Sequence, residues 1–208
     1  MMGDAHLCAQ ILLITGLCQS VQLVVKNWSA VQWQTAGWMV FFAGLGMPFG
    51  YLYVAHLPQK ASLLILGAVV FLGGLPPLWG KPLQFSERSR KPMSALLFAV
   101  GGIIQGAFTT GGGPIVIGLF QLIRTKELFR ATLLAFWTMV NGTLLLANTV
   151  DGAMLKESWI IGFVGIPFVI LGGQTGQGLA NRLSQRRFEQ FVGGLLAVSG
   201  FVMMIRNI

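Results

Sequence analysis

The chain has 208 residues, with 14 Lys or Arg against 6 Asp or Glu, a net charge of +8, 54% hydrophobic residues and 28 glycines. Charged residues make up 10% of the sequence, where soluble domains carry about a quarter, so they cannot clothe a soluble surface. The basic residues sit between long apolar runs, which excludes a nucleic-acid footprint and makes them markers of membrane topology. The fold class is an all-α integral membrane protein, and the lipid bilayer is its first partner.

A membrane-spanning helix needs about 20 largely apolar residues. Residues 6–25 form the first such run, ending at Lys26, and hold both Cys8 and Cys18, which read as membrane-buried reduced thiols. Asp4 is the one charge ahead of that run, so a cleaved signal peptide is not expected. Residues 33–55 form a second run, with Trp33 and Tyr53 as interfacial anchors, and 61–79 a third. Then comes the polar stretch GKPLQFSERSRKP at 80–92.

Residues 93–123 are apolar but interrupted by Thr109-Thr110-Gly111-Gly112-Gly113-Pro114. The run is too long for one straight crossing, and its centre cannot be regular helix. Three more runs follow at 131–149, 158–180 and 191–206, the last two separated by the basic loop NRLSQRRFEQ. The sequence therefore predicts about six full transmembrane helices plus a broken Gly-rich segment, in one membrane domain.

An offset of 126 residues lays the chain on itself without gaps. Trp33 falls on Trp159, and Gly46 and Gly50 on Gly172 and Gly176. Gly67 and Gly74 fall on Gly193 and Gly200, and Leu57-Pro58-Gln59-Lys60 on Leu183-Ser184-Gln185-Arg186. Residues 1–80 are then a partial first repeat, 81–92 a polar loop, and 93–208 the second repeat. The GxxxG pairs at 46/50 and 172/176 read as places where helices pack closely. The first-repeat counterpart of the broken segment would fall ahead of Met1, which predicts that the first repeat lacks its opening here.

Charge decides how the broken segment lies. If it crosses once, the 14 basic residues divide evenly between the two sides. If it folds back as a hairpin, eleven lie on one side and three on the other, with Lys60, Lys156 and Arg206 as the three. The positive-inside rule favours the hairpin, and with it two inverted repeats.

Non-helical backbone at membrane depth is tolerated only where protein or a wet cavity surrounds it. Three glycines expose backbone N–H groups, and Pro114 suits the first turn of a new half-helix with its positive dipole end. Together they form a candidate anion site of backbone donors, Gly111, Gly112, Gly113 and Pro114, to which Gln105, Thr109 and Thr110 could add neutral groups. The competing reading of GGGP is a tight turn that lets two helices touch. Thr15 and Asn141 coincide at the repeat offset, as further cavity residues or as helix–helix hydrogen-bonding groups. No carboxylate lies in any apolar run, which argues against a buried-acid proton relay. His6 and His56 offer no metal spacing, and no catalytic set is present, so no enzyme activity, metal or cofactor is expected.

The stretches GGIIQGAFTTGGGPIVIGLF, ELFRAT and GQTGQGLANRLSQRRFEQFVGGLLAVSGFVMM resemble the sulfite exporter TauE/SafE family, strongly over 93–208 and more weakly over 1–80. That resemblance implies a multi-pass permease of the bacterial inner membrane for a small sulfur-containing or organic anion, working by alternating access. The family's Gly-rich motif maps onto Phe108 to Pro114, with Thr109 where the family has a glycine, and its first copy has no match here. The alternative is a non-transporting scaffold, or a half-permease that needs a partner, including a homo-oligomer. No nucleic-acid partner is expected.

Overall fold

A computed structural model describes residues 2–54, 59–78, 85–108 and 112–207. The described residues are helical, with no strand among them. In order they are α1 (Met2–Lys26), a 3-10 turn (Trp28–Ala30), α2 (Trp33–Val54), α3 (Gln59–Leu78), α4 (Glu87–Phe108), α5 (Gly112–Leu122), α6 (Lys126–Val150), α7 (Lys156–Arg182) and α8 (Gln185–Asn207). Among the described residues three helices are long and apolar enough to cross a membrane: α6, α7 and the Gln185–Arg206 part of α8. The 11 residues of α5 extend about 16 Å, half of a bilayer core of about 30 Å.

The stretch expected to be a polar loop to residue 92 is already helical from Glu87. Glu87 stands in the first turn, where the helix dipole favours a carboxylate, and it pairs with Arg90. Pro92, the sixth residue of the helix, deletes the backbone bond that its N–H would have made. The charges of this stretch mark a helix end rather than a loop.

The chain divides into two compact units. The first comprises Met1–Ala36 and Arg130–Arg182. In it α1 and α7 run side by side in the same direction, at glycines that admit α1 side chains. A Cβ at Gly162 would lie 3.0 Å from Ile14, and one at Gly173 would lie 3.2 Å from Gln19. Val24, Val31, Ala36, Ala131 and Ala135 form a buried apolar cluster where α2 begins beside α6. Nearby, the Gln32 N–H donates to Thr132 Oγ1 at 3.0 Å.

A Schellman turn stops α6. Gly152 adopts φ 66°, its N–H reaches Thr149 O at 3.2 Å, and the Ala153 N–H reaches Asn148 O at 2.9 Å. The turn presents groups to Gln10 of α1. Its Nε2 donates to Ala153 O at 2.7 Å, while its Oε1 accepts from Leu155 N–H at 3.0 Å and Ser158 Oγ at 2.6 Å. Gln10 and Ser158 are both buried, so this satisfied set fixes α1 to the start of α7.

The second unit comprises Gly37–Phe129 and Leu183–Ile208. Its frame is the antiparallel pair α3–α8, whose backbones touch through glycine. A Cβ at Gly67 would meet Gly200 O at 2.9 Å, one at Gly74 would meet Gly193 O at 2.6 Å, and one at Gly200 would meet Gly67 O at 2.6 Å. Phe71 and Phe201 pack beside this seam with ring centroids 6.0 Å apart. At one end, Lys126 Nζ donates to Leu183 O at 2.5 Å, the Lys126 N–H donates to Gln185 Oε1 at 2.9 Å, and Gln185 Nε2 donates to Arg124 O. Phe129 stacks on Phe120 at 4.2 Å in the same corner.

Candidate functional site: the broken hairpin

The broken segment is built as two helices that return on themselves within the second unit. Ser94, in the second turn of α4, donates from Oγ to Gly118 O near the end of α5 at 3.0 Å. Gly118 also admits Phe98 of α4, whose ring edge would lie 2.8 Å from a Cβ there. A start-to-end pairing of this kind makes α4 and α5 antiparallel. At the exit, Gln121 Oε1 accepts the Phe85 N–H at 3.3 Å, which ties the two mouths of the hairpin together.

The hairpin is seated from two directions. Gly102 and Gly106 of α4 lie against the backbone of Ala43 and Met47 of α2, and Gly46 of α2 lies against the Ala99 backbone. Any Cβ at these three positions would overlap main chain, so α2 and α4 approach as closely as backbones allow. From the other direction α5 meets α3: Gly113 admits Val70, and Gly73 admits Ile117.

Of the predicted site residues, Thr109, Thr110 and Gly111 lie outside the described residues. Gln105 is buried at 5% exposure, one turn before the end of α4. Gly112, Gly113 and Pro114 form the first turn of α5, and Pro114 is buried. An α-helix leaves its first N–H groups without partners inside the helix. In α5 those groups belong to Gly112, Gly113 and Ile115, since Pro114 has none. No charged residue occurs between Met93 and Ile123, so the electrostatics of the break come from helix ends and neutral dipoles. Gly113 carries a packing duty as well, because the space its side chain would take belongs to Val70.

Thr15 and Asn141 lie in the first unit, near the middle of α1 and α6. Asn141 Nδ2 lies 3.7 Å from the Cβ position of Gly16, whereas the Thr15 methyl lies 3.1 Å from that of Gly165 on α7. Thr15 spends its hydroxyl proton within α1, donating to Ile11 O at 2.8 Å, and keeps its oxygen lone pairs. The structure thus describes the predicted residues as two groups, one in each unit. Among the described residues no group of His, Cys, Asp and Glu could hold a metal ion.

Sequence reasoning passed over Ser94, Gly118 and the Gly102/Gly106 pair. The last carries a readable signal, small residues four apart on one helix face, inside the same GGIIQG stretch that supplied Gln105. Ser94 carries none, because its partner is a carbonyl 24 residues away.

The family profile of the sulfite exporter TauE/SafE proteins matches residues 1–203. A curated relative, the probable sulfite/organosulfonate exporter TauE of Cupriavidus necator, is 22% identical over 159 residues, 75% of this chain and 62% of that protein. The matched part thus spans under two thirds of the relative's length. No solved structure matches. A profile that runs through α1 to α8, and takes in the Gly-rich break, leaves one assignment: this chain belongs to the sulfite exporter TauE/SafE family of membrane transporters.

Proposed function

We propose that the chain is a multi-pass permease of the bacterial inner membrane that moves a small anion, sulfite or a sulfonate, by alternating access, with the anion held at the α4–α5 break. The observation that carries this reading is the start of α5, a half-length helix whose first N–H groups have no partner within the helix and whose positive dipole end occurs in a stretch without charged residues. Sulfite and sulfonates present several acceptor oxygens and no donor of consequence, which suits backbone N–H groups, Gln105, Thr109 and Thr110. A helix end contributes about 0.3–1 kcal/mol per charge in exposed settings and about 2 kcal/mol when partly buried. Alone that is weak, since millimolar binding needs about 4 kcal/mol, so the dipoles of Gln105, Thr109 and Thr110 must add to it.

Two further features support the alternating-access part. The glycine contacts of α3 and α8 exchange under the repeat offset: Gly67 on Gly200 becomes Gly193 on Gly74, and both contacts are made. Antiparallel helices that meet this way are related by a two-fold axis across them, which in a membrane lies in its plane and inverts the halves. In the first unit the counterpart glycines of α1 and α6 also face the other helix, Gly16 near Asn141 and Gly142 near Leu17. On this reading α1, α2, α3, α6, α7 and α8 are the six crossings and α4–α5 is the re-entrant hairpin.

Purified protein in liposomes tests the proposal. Uptake of labelled sulfite at alkaline pH, where the neutral permeant form is absent, should be saturable and should require the protein. Correctly folded protein that yields no anion-dependent flux would reject the permease and leave a scaffold.

A further inference from the structure

The seam between α1 and α7 turns polar towards the Lys26 and Arg182 ends of the two helices. Gln19 lies against Gly173, and Gln177 Nε2 donates to Asn27 Oδ1 at 3.2 Å, just past the end of α1. These two contacts bracket Gln22, which stands one turn after Gln19 on the same face of α1. Two oxygens in this stretch are left over. Gln22 Oε1 and Gln177 Oε1 are buried, and no group among the described residues donates to either.

The orientation of Gln177 is not free. Leu23 O can only accept, so Asn27 turns Nδ2 towards it at 2.7 Å and presents Oδ1. That oxygen takes the Nε2 of Gln177, which leaves Gln177 Oε1 as an acceptor without a match. Buried polar atoms in folded proteins are almost always satisfied, so two such oxygens on one seam call for a donor or a cation. We infer that the α1–α7 seam binds an alkali cation, sodium or potassium, through Gln22 Oε1 and Gln177 Oε1. Neutral carbonyl oxygens are the ligands that replace the hydration shell of such ions inside membranes. Residues 7–25 and 158–181 contain no charged residue. Dipoles can match one positive charge there, whereas a divalent ion would need carboxylates. Two acceptors repel the oxygens of sulfite or a sulfonate, so this is not a second station for the anion. On the permease reading proposed above the cation is the coupling ion, but the site itself does not depend on that reading.

Melting of the purified chain in the chlorides of sodium, potassium and choline, at equal ionic strength, tests the site. At a hundredfold excess over half-saturation, sodium or potassium should raise the melting temperature by about 5 °C over choline. Gln22→Leu and Gln177→Leu should each abolish that difference. A purely packing role would lower the melting temperature in every salt and keep the difference. Gln22→Glu keeps an oxygen and adds a charge, so it should retain the difference and lower the half-saturating salt about tenfold. Equal melting in all three salts would overturn the inference and give both oxygens to buried water. A salt effect that survives both leucine variants would overturn it too, because it would arise elsewhere. Flux into liposomes is read separately. The salt effect without flux would keep the site and reject the permease, and flux without the salt effect would do the reverse.

Discussion

α3–α8 and α4–α5 are both antiparallel and both packed through glycine, yet only the second is interrupted. In α3–α8 the glycines meet backbone from a neighbouring continuous helix, with Gly67 against Gly200 and Gly74 against Gly193, and apolar rings close the edges. In α4–α5 the glycines Gly112 and Gly113 open a helix instead of lining one, and Ser94, Gln105 and Gln121 are buried along it. The same residue type therefore does two jobs. Against another backbone, glycine removes a side chain so that helices touch; at a break, it frees N–H groups that a continuous helix would consume. Glycine content alone does not separate a frame from a site, but the partner of each glycine does.

The largest effect should come from attacking the frame. Gly200→Leu drives a Cβ to 2.6 Å from Gly67 O, and main chain cannot yield as a side chain does. Overpacking of this kind costs about 3 kcal/mol. The variant should unfold in detergent at a markedly lower temperature, or fail to accumulate. Gly44→Leu, with nothing within 4 Å of its Cβ, should melt like the parent and show that bulk alone is not the cause. If both melt alike, the α3–α8 contact is not the frame.

A smaller loss of stability, with a larger loss of transport, should follow at the break. In Gly113→Val the new side chain meets Val70, a side chain rather than backbone, so the cost should fall to about 1–2 kcal/mol. Combining it with Val70→Ala should restore the melting temperature without restoring flux. Restored flux in the double variant would assign Gly113 to packing and not to the anion. The smallest effect should be that of Ser94→Ala, which leaves Gly118 O without its donor and costs about 1 kcal/mol. Differential melting of the hairpin, read by hydrogen exchange along α5, should exceed any change along α8.

Much of this was legible in the chain. Apolar runs ending at charges gave the helices to within about six residues, the largest misses being the charged starts of α4, α6 and α8, since in lipid a helix must satisfy its own backbone and charges mark where it leaves. Pro114 after three glycines announced where α5 begins. The start of α4 was harder, because Glu87, Arg88, Arg90 and Lys91 look like a solvated loop until Glu87 is seen at a helix N-terminus. The offset identified Gly67 with Gly193 and Gly74 with Gly200, but equivalence is not contact, and only the fold shows that each glycine meets the counterpart of the other. The lock of Gln10 on Ser158 was invisible for a simpler reason: 148 residues separate the partners and neither belongs to a motif.

The claim that the anion passes through the hairpin break is tested most directly at Gln105, which is buried one turn before the break and is uncharged in every state. Leucine matches its volume and removes its polar atoms. Initial rates of sulfite uptake into liposomes should fall at least tenfold in Gln105→Leu while the melting temperature stays within a few degrees of the parent. Parental flux in that variant, with the fold intact, would place the anion path elsewhere.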